Sequence, residues 1–249
     1  MKKYALVFFL ITCINPLAFA QNLPLRVAIP SFAPPFVMQD SVNQYYGFDI
    51  ATMEYICRTL NRSCEYLPMK SNELIPALQA QQVDIAIGGI VMTAQNIRRI
   101  RFSTPYMISQ AQFMTTAQVP FTSPFQIKQL SNKRIGVVNG SAFEEAVSKM
   151  RINNARLITF ERDGDMLDAL RANTIDVALL SRLQANYWQI HSSNILKNIG
   201  PSFPIGLGFS IAIAPNKMIL TNILNAALIQ YQESQDYKQN YHLYFSENF

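Results

Sequence analysis

The sequence predicts an α/β protein of two lobes with related halves, joined where the chain crosses between them twice. Three observations carry the prediction. A helix-to-strand unit recurs: Ala77-Leu78-x-Ala80-x-x-Val83-Asp84-Ile85-Ala86-Ile87 returns as Ala169-Leu170-x-Ala172-x-x-Ile175-Asp176-Val177-Ala178-Leu179, one copy in each half. Apolar patterns are degenerate, but agreement in residue type and spacing over eleven positions favours related halves over one continuous sheet. A strand at Gln112–Thr116 leaves the first half and Phe209–Ala214 returns to it, which makes two crossings. At 249 residues, 49% hydrophobic and 15% charged, the chain is long enough to give each lobe a core. The boundaries expected are 21–114 with 213–249 for the first lobe and 115–212 for the second.

The N-terminus reads as an export signal over residues 1–20. Lys2 and Lys3 precede an apolar run from Tyr4 to Ile14, and Ala18-Phe19-Ala20 has the small-x-small form of a cleavage site. The run is too short to span a bilayer, and nothing later reaches that length. A mature protein starting near Gln21, soluble outside the cytoplasm, is expected; a lipoprotein signal ending at Cys13 is the weaker alternative, because Thr12 stands where a smaller residue is usual. Cys57 and Cys64 then form a pair in an exported chain, and a disulfide closing a small loop is the natural assignment. Neither His191 nor His242 sits at ligand spacing from them, so no metal site or cofactor is expected. Losing Lys2 and Lys3 lowers the net charge from +5 to +3, too mild an excess to point to nucleic acid.

Leu25–Ile29 is a short apolar strand, and the Pro34-Pro35 pair after it stiffens a loop that presents Phe32 and Phe36. Gly47-Phe48-Asp49 opens a helix with Ala51, Tyr55, Ile56 and Leu60 on one face. Cys64–Met69 is the next strand. The stretch Val83–Tyr106 begins as a buried strand and breaks at Gly88-Gly89, and Thr93 caps a short helix through Ile100. A strand, a glycine loop and a helix start put free backbone N–H groups at one spot, which suits an anionic group; an ordinary βα connection is the blander alternative. Arg98, Arg99 and Arg101 read as a solvated helix face.

In the second half, Lys133–Val138 is a strand and Asn139-Gly140-Ser141 turns into a helix over Ala142–Met150, with Ser141 as its cap. Leu157–Phe160 is another strand, and Glu144, Asp163 and Asp165 read as acids at helix starts or on the surface. Ile219–Tyr244 begins as an amphipathic helix and ends in an aromatic-rich tail. Two crossings describe a hinge, and a cleft between hinged lobes is where small ligands bind.

The order Pro34-Pro35-Phe36, Gly47-Phe48-Asp49, Leu74-Ile75-Pro76-Ala77-Leu78, Thr93 with Phe102-Ser103-Thr104-Pro105-Tyr106, and Gly136-Val137-x-x-Gly140-Ser141 resembles the family 3 extracellular solute-binding proteins. These are the polar-amino-acid receptors of ABC importers. The likeness is strongest to the arginine and histidine/lysine/ornithine branch, which carries a C-x6-C disulfide where Cys57 and Cys64 stand. It spans the whole mature chain. It implies the bilobed type II periplasmic-binding-protein fold, a monomer in the periplasm, a small polar ligand enclosed between the lobes, and delivery to an ABC permease in the inner membrane.

Carried over one position at a time, the resemblance implies an altered clamp. The arginine that holds the ligand α-carboxylate falls on Asn96, and the aspartate that holds the α-ammonium falls on Ser181. The stacking aromatic before Pro34 falls on Ala33, a second pocket aromatic on Ser71, an acid on Pro30 and a polar residue on Val91. A slip of register would bring Arg98 or Arg182 into the site instead. What remains is uncharged: N–H groups around Gly89, Ile90, Val91 and Thr93, the Ser141-Ala142 helix start, Asn96 and Ser181, with Phe32 and Phe36 packing any apolar part. Such a site suits a neutral polar or weakly anionic solute rather than a standard basic α-amino acid. An enzyme on the same scaffold, as a few dehydratase relatives are, or a sensor that no longer serves transport are the alternatives. No G-x-S-x-G elbow or dinucleotide loop is present in the sequence, and no catalytic residue is assigned.

Overall fold

A computed structural model describes residues 23–193 and 195–246. The expected export signal, with Cys13 and the cleavage site at Ala20, lies outside the described residues. Among these residues no helix is long and apolar enough to cross a membrane.

The first lobe starts with β1 (Leu25–Pro30), whose Leu25, Val27, Ala28 and Ile29 are fully buried because the strand sits inside a sheet. A small hairpin, β2 (Met38–Gln39) and β3 (Tyr45–Tyr46), leads to α1 (Phe48–Thr59). That helix buries Phe48, Met53 and Ile56 on one face. Next come β4 (Cys64–Met69) and α2 (Ser71–Gln79), and the Cys57–Cys64 disulfide pins α1 to β4 as expected. After them lie β5 (Ile85–Ala86) and β6 (Arg101–Phe102).

The second lobe holds β7 (Gln110–Thr116), β8 (Arg134–Val138), α3 (Ala142–Met150), β9 (Arg156–Phe160), α4 (Asp163–Arg171), β10 (Val177–Ser181), α5 (Arg182–His191) and β11 (Leu196–Pro204). Its sheet runs β11-β7-β10-β8-β9, with β9, β8 and β10 parallel, and β7 antiparallel to both its neighbours, β10 and β11. The chain then returns as β12 (Ala212–Ile213), which inserts between β5 and β6 to complete the order β4-β1-β5-β12-β6. Finally α6 (Met218–Glu233) and α7 (Gln235–Tyr241) close over the first lobe, and Phe245 stacks on Phe48 with ring centres 4.8 Å apart.

Two expectations shift. Strand β7 lies wholly in the second sheet, so the crossings fall before Gln110 and after Pro204 rather than at 114 and 212. The two crossing segments pair with each other: Phe209 N–H donates to the Met107 carbonyl and Tyr106 N–H to that of Phe209, at 2.8 and 2.9 Å. The helix expected from Thr93 to Ile100 is only a single 3-10 turn, Asn96–Arg98. Thr93 does cap it, its Oγ1 accepting from Asn96 N–H at 3.2 Å. Between Thr93 and Ile100 no residue is buried, however, so a longer helix would have no apolar face to pack.

The internal repeat extends to a charge pair that ties a neighbouring parallel strand in each lobe to its repeated unit. Arg26 on β1 donates through Nε and Nη2 to Asp84, at 3.3 and 3.1 Å. Arg134 on β8 does the same to Asp176, at 3.1 and 2.8 Å. Backbone N–H groups of both arginines join in. The Arg134 hydrogen bonds hold the Asp176 carboxyl below its usual 3.8, burial opposing them. The stabilisation is therefore complete above that value and is lost as pH falls through the lower, folded-state value. Asp176→Asn is expected to cost about 1–3 kcal/mol at neutral pH. In urea melts the gap to the wild type should narrow below the usual 3.8; a gap independent of pH would show that charge is not what the pair contributes.

Candidate functional site

Parallel strands of an open α/β sheet present their carboxyl ends to a crevice, and here both sheets present them to the same one. The loops after β1, β5, β8 and β9 meet in a cleft of about 650 Å3, counted out to its open mouth. One wall carries Ala33, Ser71, Leu74, Ile75, Asn96 and the backbone from Gly88 to Val91. The other carries Val138, the Gly140–Phe143 turn and helix start, Asp163 and Gln184.

The first wall depends on glycines. Gly88 and Gly89 both have positive φ, +140° and +68°, and a Cβ on Gly89 would lie 2.8 Å from the Phe36 ring. Gly89 N–H is turned away from the cleft, donating at 2.7 Å to the buried Asp49 carboxylate. In the second wall Ser141 caps α3: its Oγ accepts from Glu144 N–H at 3.3 Å and donates to the Val138 carbonyl at 2.6 Å. The first turn of α3 therefore faces the cleft with its positive end.

The residues expected at the site separate into two groups. Gly89, Ile90, Val91, Asn96, Ser141 and Ala142 line the cleft. Phe36 does not: it is fully buried beneath Gly89, against Phe209 and Phe245 with ring centres 5.0 and 5.9 Å away. Thr93 is spent on capping the 3-10 turn. Phe32 stands outside the lining residues, its ring edge-on to Trp188 of the second lobe at 6.2 Å. Ser181 is 1% exposed and closed off behind Gln184, capping α5 through Gln184 N–H at 3.1 Å. Arg98 and Arg182 are not among the lining residues.

Two polar side chains in the lining are not assigned to the site by the sequence, Asp163 and Gln184. They form a chain with Ser181: Ser181 Oγ donates to Gln184 Oε1 at 2.9 Å, and Gln184 Nε2 donates to Asp163 Oδ2 at 3.0 Å. Asp163 is the first residue of α4, as a helix-start acid would be, but it is 8% exposed and faces the cleft. Burial pushes its carboxyl up to about 7, and the Gln184 bond pulls only part of the way back. The signal that points to it is its place directly after a parallel strand, β9. A carboxylate in the wall suits the neutral polar solute of the sequence reading better than the weakly anionic one.

The lobes touch around the cleft. Lys70 Nζ lies 3.2 Å from Glu161 Oε2, and Asn72 Nδ2 lies 3.5 Å from the same oxygen. Asn139 Nδ2 holds the other Glu161 oxygen at 3.3 Å. A Cβ on Gly140 would come within 3.1 Å of Asn72 Cα, so glycine permits this approach. Among the described residues no three His, Cys, Asp or Glu groups are placed to hold a metal ion.

Residues 25–247 match the bacterial extracellular solute-binding proteins, family 3. The chain is 25% identical to an L-arginine-binding protein of Pseudomonas aeruginosa, over 99% of this chain and 97% of that one. It is 27% identical to an arginine-binding periplasmic protein of Mannheimia haemolytica, over 97% of each. Its fold superposes with a TM-score of 0.82 on an arginine transport-system periplasmic binding protein from Legionella pneumophila, at 30% identity, covering 90% of this chain and all of that one.

Removing the Glu161 contact is expected to loosen closure. Glu161→Ala should increase the radius of gyration in X-ray scattering and weaken binding of the purified protein's solute about two- to fivefold. High salt should move the wild type the same way. Unchanged scattering in the variant would show that the lobes close without this contact.

Proposed function

This chain belongs to family 3 of the bacterial extracellular solute-binding proteins, and we propose that it is the solute receptor of an ABC importer of the amino-acid type. On this reading it works in the periplasm as a monomer, closes its lobes on one small polar solute, and hands that solute to a permease in the inner membrane. The observation that carries the reading is the cleft itself. It lies between two lobes, is lined by the Gly88–Val91 backbone, a capped helix start and a few polar side chains, and is bridged at its rim by contacts between the lobes. Gly89, Ile90, Val91, Asn96, Ser141 and Ala142 would contact the solute, joined by Asp163 and Gln184. Phe32 would shield the mouth with Trp188.

The arginine-binding relatives suggest an amino acid, yet the cleft presents Asn96 where the resemblance implies an arginine, and Ser181 is enclosed behind Gln184. A standard zwitterion would lose the charge-assisted bonds at both ends, about 1.5–3 kcal/mol each. A second reading has a specific observation behind it. A carboxyl raised to about 7 inside a cleft is what a general acid needs, so Asp163 would be the catalytic group of a dehydratase-like enzyme.

Mass spectrometry of small molecules released on denaturing the purified protein should find one bound solute. Adding it back at about a hundred times its Kd should stabilise the protein by about 2.7 kcal/mol, raising Tm by roughly 5–10 °C. The solute should be recovered chemically unchanged. Turnover would replace the receptor reading with the enzyme, and no saturable binding of any released solute would end it.

A further inference from the structure

We propose that Asp163 sets the charge of the solute: its carboxylate receives a cationic nitrogen, an amine or guanidinium, of a solute that needs no carboxylate of its own. The proposal rests on the reading that the cleft takes a small solute, and it narrows that reading to a chemical class.

Asp163 is the one ionisable side chain among the residues that line the cleft. It is more than nine-tenths buried, and its single hydrogen bond within the described chain comes from the Gln184 amide. That amide cannot turn freely, because Ser181 Oγ donates to its oxygen and thereby directs its NH2 end at Asp163. Asp163 Oδ2 is thus held in place, and Oδ1 has no hydrogen-bond partner among the described residues. Nor is Oδ1 among the fully enclosed unpaired polar atoms, and Asp163 lines the cleft.

A buried carboxylate without a counter-ion is costly. Two cations of the flanking segments are committed elsewhere: Arg162 forks onto Asp165 at 2.9 and 3.0 Å, and Lys70 pairs with Glu161 at 3.2 Å. Burial has already pushed the Asp163 carboxyl up to about 7, the direction expected of an acid still waiting for its partner. A cationic solute would supply that partner. The opposite wall offers no cationic side chain to a carboxylate, only Asn96, Ser71 and backbone groups. The cleft therefore offers an amine a charged partner, but offers a solute carboxylate only neutral donors and the α3 start.

The test is calorimetric titration with two matched pairs, agmatine against L-arginine and histamine against L-histidine, at neutral pH. The wild type should bind at least one amine no more weakly than its parent amino acid. Asp163→Asn keeps an acceptor for Gln184 and should lose the amine by roughly tenfold to a hundredfold. Asp163→Glu, which keeps the charge one methylene away, should recover part of it. Asp165→Asn, in the same turn but paired with Arg162 at the surface, should bind as the wild type does. Undiminished amine binding by Asp163→Asn overturns the proposal. So does a wild type that binds only the amino acids, or none of the four probes. The solute released from the denatured protein decides the receptor reading separately: a neutral or anionic one would sink the role of Asp163 and leave the receptor standing.

Discussion

The Asp49 carboxylate is the buried charge on which the first wall of the cleft depends. It sits at the start of α1 and is wholly inaccessible to solvent. Its Oδ2 accepts from Gly89 N–H at 2.7 Å and from the Tyr106 hydroxyl at 2.9 Å. One oxygen thereby joins a helix start, the glycine loop that lines the cleft and the first crossing of the hinge. Burial raises the carboxyl to about 7, with the Gly89 and Tyr106 bonds pulling it back. The remaining oxygen, Oδ1, has no hydrogen-bond partner among the described residues. Such a group persists only where the surroundings fix it from several sides. Here Phe48 packs against both Tyr106 and Phe245, and Gln232 donates to the Tyr106 carbonyl at 3.2 Å. The C-terminal segment is in this way part of the hinge's support.

The two lobes repeat one construction and then diverge where the chemistry is. In each, an arginine on the parallel strand beside the repeated one grips an aspartate at the start of that repeated strand, with the backbone N–H of that arginine as a further donor. These pairs lie at the amino ends of the strands, away from the cleft, so they stabilise without constraining what is bound. At the carboxyl ends the lobes differ. The first presents backbone and neutral side chains; the second presents a capped helix start and a carboxylate. Function resides in those loops, and the fold only positions them.

How far the sequence could be read follows from where each signal comes from. Elements with a strong apolar period were legible: the bounds of α3 agree residue for residue, and α1 and β4 place the disulfide. The repeat correctly implied two sheets, because Val83–Ile87 and Ile175–Leu179 need burial on both faces. The helix after Thr93 was misjudged because its cap was visible and its lack of an apolar face was not weighed. Phe36 shows a limit of another kind. A rigid proline loop announces that its aromatics are presented, but only the fold decides which way they face, and Phe36 faces the core. Asp163 was hidden for the opposite reason, since an acid at a helix start is already explained. Nothing local distinguishes one in solvent from one turned into a cleft.

The burial of Asp163 and the closure of the lobes are two parts of one balance. An open cleft would hydrate the carboxylate and remove most of the cost of its charge; closure withdraws that water. A solute without a positive charge leaves the carboxylate to take up a proton as the lobes close. A solute with one exchanges hydration for an ion pair held in place by Gln184. Closure is thus more favourable over a cation than over an empty or neutral cleft, and the rim contacts of Glu161 and of Phe32 with Trp188 need supply only a modest bias. A receptor must close when loaded and reopen when empty. A single unpaired carboxylate in one wall, facing an uncharged wall, meets both demands without a second charge in the protein to satisfy it first.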